Sequence, residues 1–150
     1  MSVFPDTSFL CALYRQQSNS PQAARYFQKM AGPLPVSSLL LFEFRQSTRL
    51  QTWLHSKDRA KGFAKTEADK MLAALQSDIA QGGLKVVTPD WADVHVIAER
   101  LSARHTSQNG CRGLDVLHVA TALHLGVAEF LTFDAQQKNL AAAEGLKATL

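Results

Sequence analysis

The chain has few cysteines and no long apolar run. Its 150 residues include two cysteines, Cys11 and Cys111, which lack the paired Cys-x-x-Cys spacing of zinc or redox motifs. We therefore expect reduced thiols and a cytoplasmic protein. No apolar stretch approaches the roughly 20 residues that cross a bilayer. No charged segment precedes an apolar one at the start of the chain, so we expect neither a secretory signal nor a membrane anchor.

Several motifs of catalytic and nucleotide-binding proteins are also missing. The chain contains neither Gly-x-x-x-x-Gly-Lys nor Gly-x-Gly-x-x-Gly, which excludes the common phosphate-cradling loops. Gly-x-Ser-x-Gly is absent and neither cysteine has the flanking glycines of a protease motif, so a serine or cysteine nucleophile is disfavoured. Sixteen basic and thirteen acidic residues give a net charge of +3, which permits a polyanionic partner without requiring one.

What the chain does have is an alternation of short strands and helices. Its length and its 46% hydrophobic content suit one domain, residues 1–150, with a buried core. The patterns predict strands at 3–4, 34–36, 84–87 and 129–132, with a last one after 145, and helices at about 9–14, 21–29, 38–53, 66–80, 91–103, 114–125 and 135–143. A loop is expected at 107–113. This order predicts an α/β fold with a parallel sheet of about five short strands, covered by helices on both faces.

Three aspartates stand next to predicted helix starts. Asp6 and Asp134 follow two strands, and ligands of parallel sheets bind beyond the carboxyl ends of the strands. An Asp in this position is also a common N-cap, and Gln137 follows Asp134 at the spacing of a capping box. Asp115 lies in the first turn of a helix that is apolar on nearly every side. A carboxylate there suits the helix dipole, but a buried one needs a partner or a metal.

Glu43 is the acidic residue that structure alone explains least. On a helical wheel it falls between Leu39 and Leu40 and close to Leu50 and Leu54, inside the apolar stripe of its helix. Glutamates usually face solvent, so this position favours a functional role.

Three further polar residues accompany the acids. His118, three residues after Asp115, could share a metal with it. No second such motif exists, so we interpret His118 as a packed, hydrogen-bonded core histidine. Ser8, two residues after Asp6, and Thr132, two before Asp134, are candidates to hydrogen-bond the carboxylates behind a metal, or are simple caps. The remaining histidines show no ligand spacing: His55, His95, His105 and His124.

Four segments together resemble a known family. They are Asp-Thr-Ser after a short strand, Ser-Ser-Leu-Leu-Leu-Phe-Glu-Phe, Leu-Asp-Val-Leu-His-Val-Ala-Thr-Ala-Leu, and Leu-Thr-Phe-Asp. In this order they resemble the PIN-domain family, in particular the VapC-type toxins of bacterial toxin–antitoxin pairs, over essentially the whole chain. The resemblance implies a three-layer α/β/α sandwich. It also implies a pocket for Mg²⁺ or Mn²⁺ formed by four acids: Asp6, Glu43, Asp115 and Asp134.

Pro5 departs from the family pattern, which usually has an apolar residue with an N–H at this position. Since proline lacks that donor, we expect it to end the first strand one residue early and to alter the placement of Asp6. The resemblance also implies a small antitoxin protein as partner, with a homodimer as the common assembly.

If the four carboxylates converge, their mutual repulsion favours the binding of a metal ion. Two such charges about 5 Å apart repel by about 3 kcal/mol at an effective dielectric of about 20. Oxygen donors suit Mg²⁺ or Mn²⁺, as one or two ions, better than zinc. Asp6, Asp115 and Asp134 are expected as direct or water-mediated ligands. Glu43 would join them and orient or deprotonate the water that attacks a phosphodiester.

Basic residues near the acids are candidates to hold RNA phosphates, giving salt-dependent binding. They are Arg45, Arg49, Lys57, Arg59, Lys61 and Arg112, with Lys65 beyond them. A solvated basic surface explains the same residues.

The leading hypothesis is a metal-dependent endoribonuclease, the toxin of a type II toxin–antitoxin system. The alternatives are a PIN-fold nuclease of RNA processing or DNA metabolism, and a non-catalytic RNA-binding module. A small phosphatase with Asp6 as nucleophile fits less well, because such enzymes usually have a second acid nearby, whereas Ser8 stands two residues on.

Overall fold

The computed structural model describes residues 1–150 and divides into two compact units. The terminal unit comprises Met1–Phe9 and Val87–Leu150, and the central unit comprises Leu10–Val86. The elements, in chain order, are β1 (Val3–Pro5), α1 (Thr7–Tyr14), α2 (Ser20–Lys29), β2 (Leu34–Ser37), α3 (Ser38–Lys57), α4 (Lys65–Gln81), β3 (Leu84–Val87), α5 (Trp91–Leu101), a π-helical segment (Ser102–Thr106), α6 (Ser107–Asn109), α7 (Gly113–His124), β4 (Glu129–Leu131) and α8 (Ala135–Ala143). None of the helices has the length and apolar character needed to span a membrane.

The terminal unit is organised around two parallel strands. β1 pairs with β4, with Phe4 opposite Phe130, and both of these side chains are completely buried. α7 packs against α5 and α8 and contacts β1. Its buried side chains come from nearly every side of the helix, as its apolar sequence predicts. The ends of β1 and β4 and the starts of α7 and α8 therefore lie in the same packed unit.

β1 does not stop before Pro5 but includes it as its last residue. Pro5 pairs with Leu131, and the N–H of Asp6 donates to the Leu131 oxygen over 3.0 Å. Successive N–H groups of a strand point to opposite edges, so the Pro5 nitrogen faces away from β4 and no ladder donor is lost. The expected early end of the strand is wrong, and Asp6 follows the strand directly.

The central unit contains the second strand pair, β2 with β3. The Leu34 N–H donates to the Gly83 oxygen over 2.9 Å where the pair begins. α3 packs against α4 and β2. The Ser37 hydroxyl accepts the Leu40 N–H over 3.1 Å and so caps α3.

The strand count is lower than expected. Four strands form two pairs, and the segment after Gly145 contributes one bridge, between Lys147 and Glu129, instead of a fifth strand. With three or four residues each, the strands offer few ladder hydrogen bonds. The expected loop at 107–113 instead begins with the short helix α6, which ends at Gly110 in a left-handed conformation, φ +66°.

Candidate functional site

Asp6 lies between β1 and α1 and is completely buried. Its Oδ1 accepts the Phe9 N–H over 3.0 Å and the Ser8 hydroxyl over 2.6 Å. Its Oδ2 accepts the Thr132 hydroxyl over 2.5 Å. The capping interpretation therefore holds for one oxygen of Asp6, while the other faces the segment that follows β4.

The two hydroxyl groups connect this segment to the start of α1. The Ser8 oxygen accepts the Phe133 N–H over 2.8 Å, and the Thr132 oxygen accepts the Asp134 N–H over 3.0 Å. The two hydroxyl oxygens are 3.3 Å apart. Thr132 thus bridges the Asp6 carboxylate and the backbone of Asp134, so two of the four candidate acids belong to one hydrogen-bond network.

Asp134 and Asp115 meet through an arginine. Asp134 caps α8, with its Oδ1 accepting the Gln137 N–H over 2.9 Å, and its Oδ2 lies 3.7 Å from Arg112 Nη2. Asp115, in the first turn of α7 and only 7% exposed, accepts a hydrogen bond from Arg112 Nε over 3.1 Å. One guanidinium therefore faces both carboxylates. The spacing of Arg112 and Asp115, three residues apart at a helix start, is the sequence signal for this pair.

Burial dominates the electrostatics of Asp6. It raises the pKa of this carboxyl above its usual value, although hydrogen bonds from Ser8, Thr132 and the Phe9 N–H and the charge of His118 act in the opposite direction. The ionised form of Asp6 is therefore costly in the protein by itself. A cation near Oδ2 would lower that cost.

The donor chemistry of these residues fits a hard divalent cation. Three aspartates from separate segments contribute carboxylate oxygens, and no cysteine belongs to the network. With the side chains as they stand, no three His, Cys, Asp or Glu groups are gathered closely enough to hold an ion. Arg112 instead supplies positive charge between Asp115 and Asp134, and 71% of its side chain is exposed to solvent.

Glu43 lies in α3, in the central unit, and is half-buried. The helical wheel predicted a position inside the core-facing stripe, but Glu43 is not among the buried residues of α3. The buried face of α3 is formed by Leu40, Leu41, Phe44 and Thr48, while Leu50 is 48% exposed. The error arises because Leu50 and Leu54 shifted the apparent centre of the apolar stripe. A catalytic role for Glu43 stays a prediction.

His118 is completely buried, with its Nε2 3.5 Å from the Thr7 hydroxyl. It is a packed core histidine, as expected.

The candidate RNA-binding residues have different surroundings. Arg45 donates to Gln76 over 3.4 Å, Lys57 lies 5.9 Å from the centre of the Trp53 ring, and Lys61 is 4.0 Å from Asp58. Arg49 and Arg59 are exposed. Arg112 is the exception, since it faces the acidic site. Their binding to RNA stays a prediction.

Comparison with known proteins shows which family the chain belongs to. The model of the PIN domain family matches residues 3–143, and the chain therefore belongs to this family. Its structure is similar to VapC20 of Mycobacterium tuberculosis, a toxin that cleaves the Sarcin-Ricin loop, with 22% identity over 97% of this chain and 98% of that chain and a TM-score of 0.63. Compared by sequence with curated proteins, the chain has no significant match.

Two further solved structures are similar to this chain over nearly its whole length. FitAcB from Neisseria gonorrhoeae is 15% identical over 99% of this chain and 96% of that chain, with a TM-score of 0.65. VapBC-1 from nontypeable Haemophilus influenzae is 15% identical over 99% and 97%, with a TM-score of 0.63. At these identities the likeness establishes the fold. The expected PIN-type α/β fold is confirmed.

Proposed function

We propose that this chain is a metal-dependent endoribonuclease that hydrolyses RNA phosphodiester bonds in the cytoplasm as the toxin of a type II toxin–antitoxin pair. The observation that carries the proposal is the connection of Asp6, Asp115 and Asp134 through Thr132 and Arg112. The likeness to VapC20, a toxin that cleaves RNA at the Sarcin-Ricin loop, supports this class of substrate.

The proposed metal is Mg²⁺ or Mn²⁺, as one or two ions held by the three aspartates, with Glu43 as the fourth acid. Such an ion would make water at the site more acidic and would offset the negative charge that develops on the phosphodiester oxygens. Arg112 compensates the charge of Asp115 and Asp134 without metal. Because its side chain is mostly exposed, it can turn away from the two carboxylates without disturbing the core.

The protein's own groups fix the geometry of the site. Ser8 and Thr132 each donate a hydrogen bond to a different oxygen of Asp6, which prevents the carboxylate from rotating. Glu43 orients the attacking water or removes its proton in this proposal. No covalent intermediate with the protein is needed.

An antitoxin partner and a homodimer belong to the same proposal. VapBC-1 and FitAcB are toxin–antitoxin assemblies with this fold, and they support a small protein partner for this chain. A basic side chain of the antitoxin would be suited to pair with the same carboxylates as Arg112.

RNA cleavage assays with different metal ions and with substituted aspartates test the proposal. Purified protein should cleave cellular RNA with Mg²⁺ or Mn²⁺ and lose this activity in EDTA. Asp6→Asn and Asp115→Asn should each reduce the cleavage rate by at least about a hundredfold while circular dichroism shows a retained fold. Full activity with chelator would refute the metal mechanism. RNA binding without cleavage under any metal would favour the non-catalytic alternative.

A further inference from the structure

Arg15, directly after α1 in the central unit, is held in a fixed position between aromatic rings. Its guanidinium carbon lies 5.6 Å from the centre of the Phe44 ring and 5.5 Å from that of Phe63. Its Nη2 donates to the Ser47 hydroxyl over 3.0 Å and to the Thr48 hydroxyl over 3.2 Å. The cation is therefore positioned before any ligand arrives.

This cation has no negative partner in the chain. No carboxylate forms an ion pair with Arg15, and its Nε is buried without a hydrogen-bond acceptor. A guanidinium has five N–H donors, and here only those of Nη2 are used. A half-buried charge with unused donors is costly, and an anion at this position would remove that cost.

Arg15 lines a cavity of about 740 Å³ in the central unit. The volume is within the range of pockets that hold small ligands. Glutamine side chains and Lys70 lie in the same wall. The one acidic residue of the lining, Glu67, is 3.4 Å from the Lys70 ammonium. The charge of Arg15 is therefore the uncompensated charge of the cavity.

The loop between α3 and α4 completes the cavity with Gly62 and Phe63. Gly62 has φ +58°, and a Cβ there would lie 2.0 Å from the backbone oxygen of Gln51, so the loop is pressed against α3. This close approach brings the next residue, Phe63, onto Arg15. Residues 57–65 contain four cations and one acid. These four cations lie outside the cavity lining, and two of them, Lys61 and Lys65, face Asp58 and Asp69.

We propose that this cavity binds a phosphate group of an RNA strand, with Arg15 as the principal contact and Lys70 as the second cation. The proposal rests on RNA being the substrate. A phosphate accepts several N–H groups of one guanidinium, which suits the unused donors of Arg15. The lining includes three glutamines and three charged side chains, which favours a solvated RNA backbone over an apolar peptide segment.

Binding of an RNA that cannot be hydrolysed tests the cavity separately from catalysis. The probe is a fluorescent 2′-O-methylated oligonucleotide, titrated by anisotropy in EDTA at several salt concentrations. Arg15→Gln should weaken binding about tenfold and reduce the slope of log affinity against log salt by about one. Arg25→Gln is the matched control, because Arg25 is exposed in α2 of the same unit and the charge change is identical. It should bind like the wild type.

A second variant keeps the test valid if Arg15→Gln unfolds through loss of its contacts with Ser47 and Thr48. Lys70→Gln removes the other cation without touching those hydroxyls, and it should weaken binding several-fold. Wild-type affinity and salt slope in Lys70→Gln and in folded Arg15→Gln would overturn the proposal. Equal losses in Arg25→Gln, or Arg15-dependent binding of an oligoglutamate peptide but not of the oligonucleotide, would overturn it as well. Loss of cleavage without loss of binding would count against the proposed nuclease and not against this cavity.

Discussion

At the scale of single residues, the two carboxylate oxygens of Asp6 have different partners and different roles. Oδ1 caps α1 through the Phe9 N–H, and Oδ2 faces Thr132. Asp134 does the same, with Oδ1 capping α8 and Oδ2 towards Arg112. The capping and the functional interpretations therefore do not compete, because a carboxylate has enough lone pairs for both.

The raised pKa of Asp6 predicts a pH-dependent effect of its removal. Because folding raises this pKa above 3.8, the contribution of Asp6 to stability is fully present below that pH and is lost as the pH rises through the folded value. In the presence of chelator at about pH 8, the Tm of Asp6→Asn should therefore be higher than that of the wild type. The difference should be about 2–4 °C for each kcal/mol of desolvation cost that the substitution removes. The difference should close towards about pH 4. A gap that is constant across thermal melts in this range would contradict the assignment.

Arg112 gives a second prediction at this scale. In metal-free protein Arg112→Gln should lower the unfolding free energy by less than about 1 kcal/mol, because the arginine is largely solvent-exposed. Its removal should also tighten Mn²⁺ binding, since the ion no longer displaces a guanidinium from Asp115 and Asp134. Calorimetric titration measures the affinity, and Arg100→Gln, at an exposed position of α5, is the charge-matched control. Weaker Mn²⁺ binding than in that control would show that Arg112 assists the metal.

At the scale of elements, the loop between α3 and α4 depends on one glycine. Gly62→Ala should destabilise the protein by about 2 kcal/mol or more, because it combines a left-handed conformation with a contact of 2.0 Å to a backbone oxygen. Gly32→Ala, with nothing within 4 Å of its added Cβ, should be nearly neutral. Urea unfolding of the two variants measures the difference. Equal stabilities would mean that the loop is free to move away from α3.

Elements with strong local signals were predictable from the sequence. The apolar sequence of α7 and the glycines after α4 placed those helices within one or two residues. Strand pairing was harder to predict. Whether Pro5 interrupts the hydrogen bonds between two strands depends on which edge of β1 the partner strand occupies. Likewise, the exposure of Leu50 depends on which part of α3 other elements cover. Contacts between distant segments, such as Arg15 with Phe63, left no local signal at all.

At the scale of the whole molecule, the proposed metal should be a stabilising ligand. The carboxylates of Asp6 and Asp115 are buried, so an ion that binds them only in the folded chain adds to its unfolding free energy. At a hundred times its Kd, such an ion contributes about 2.7 kcal/mol. Millimolar Mn²⁺ should therefore raise the Tm of the wild type by several degrees relative to EDTA, which differential scanning fluorimetry can measure.

The same experiment separates specific binding from a general effect of divalent ions. Asp115→Asn should lose most of the rise in Tm, whereas Asp69→Asn, which removes an equal charge from an exposed helix position, should keep it. Ca²⁺ at the same concentration serves as a further comparison, because its larger size and longer oxygen distances suit a different site from that of Mn²⁺. An unchanged Tm in the wild type would mean that the three aspartates, with Arg112 as their counterion, need no metal to fold and bind none.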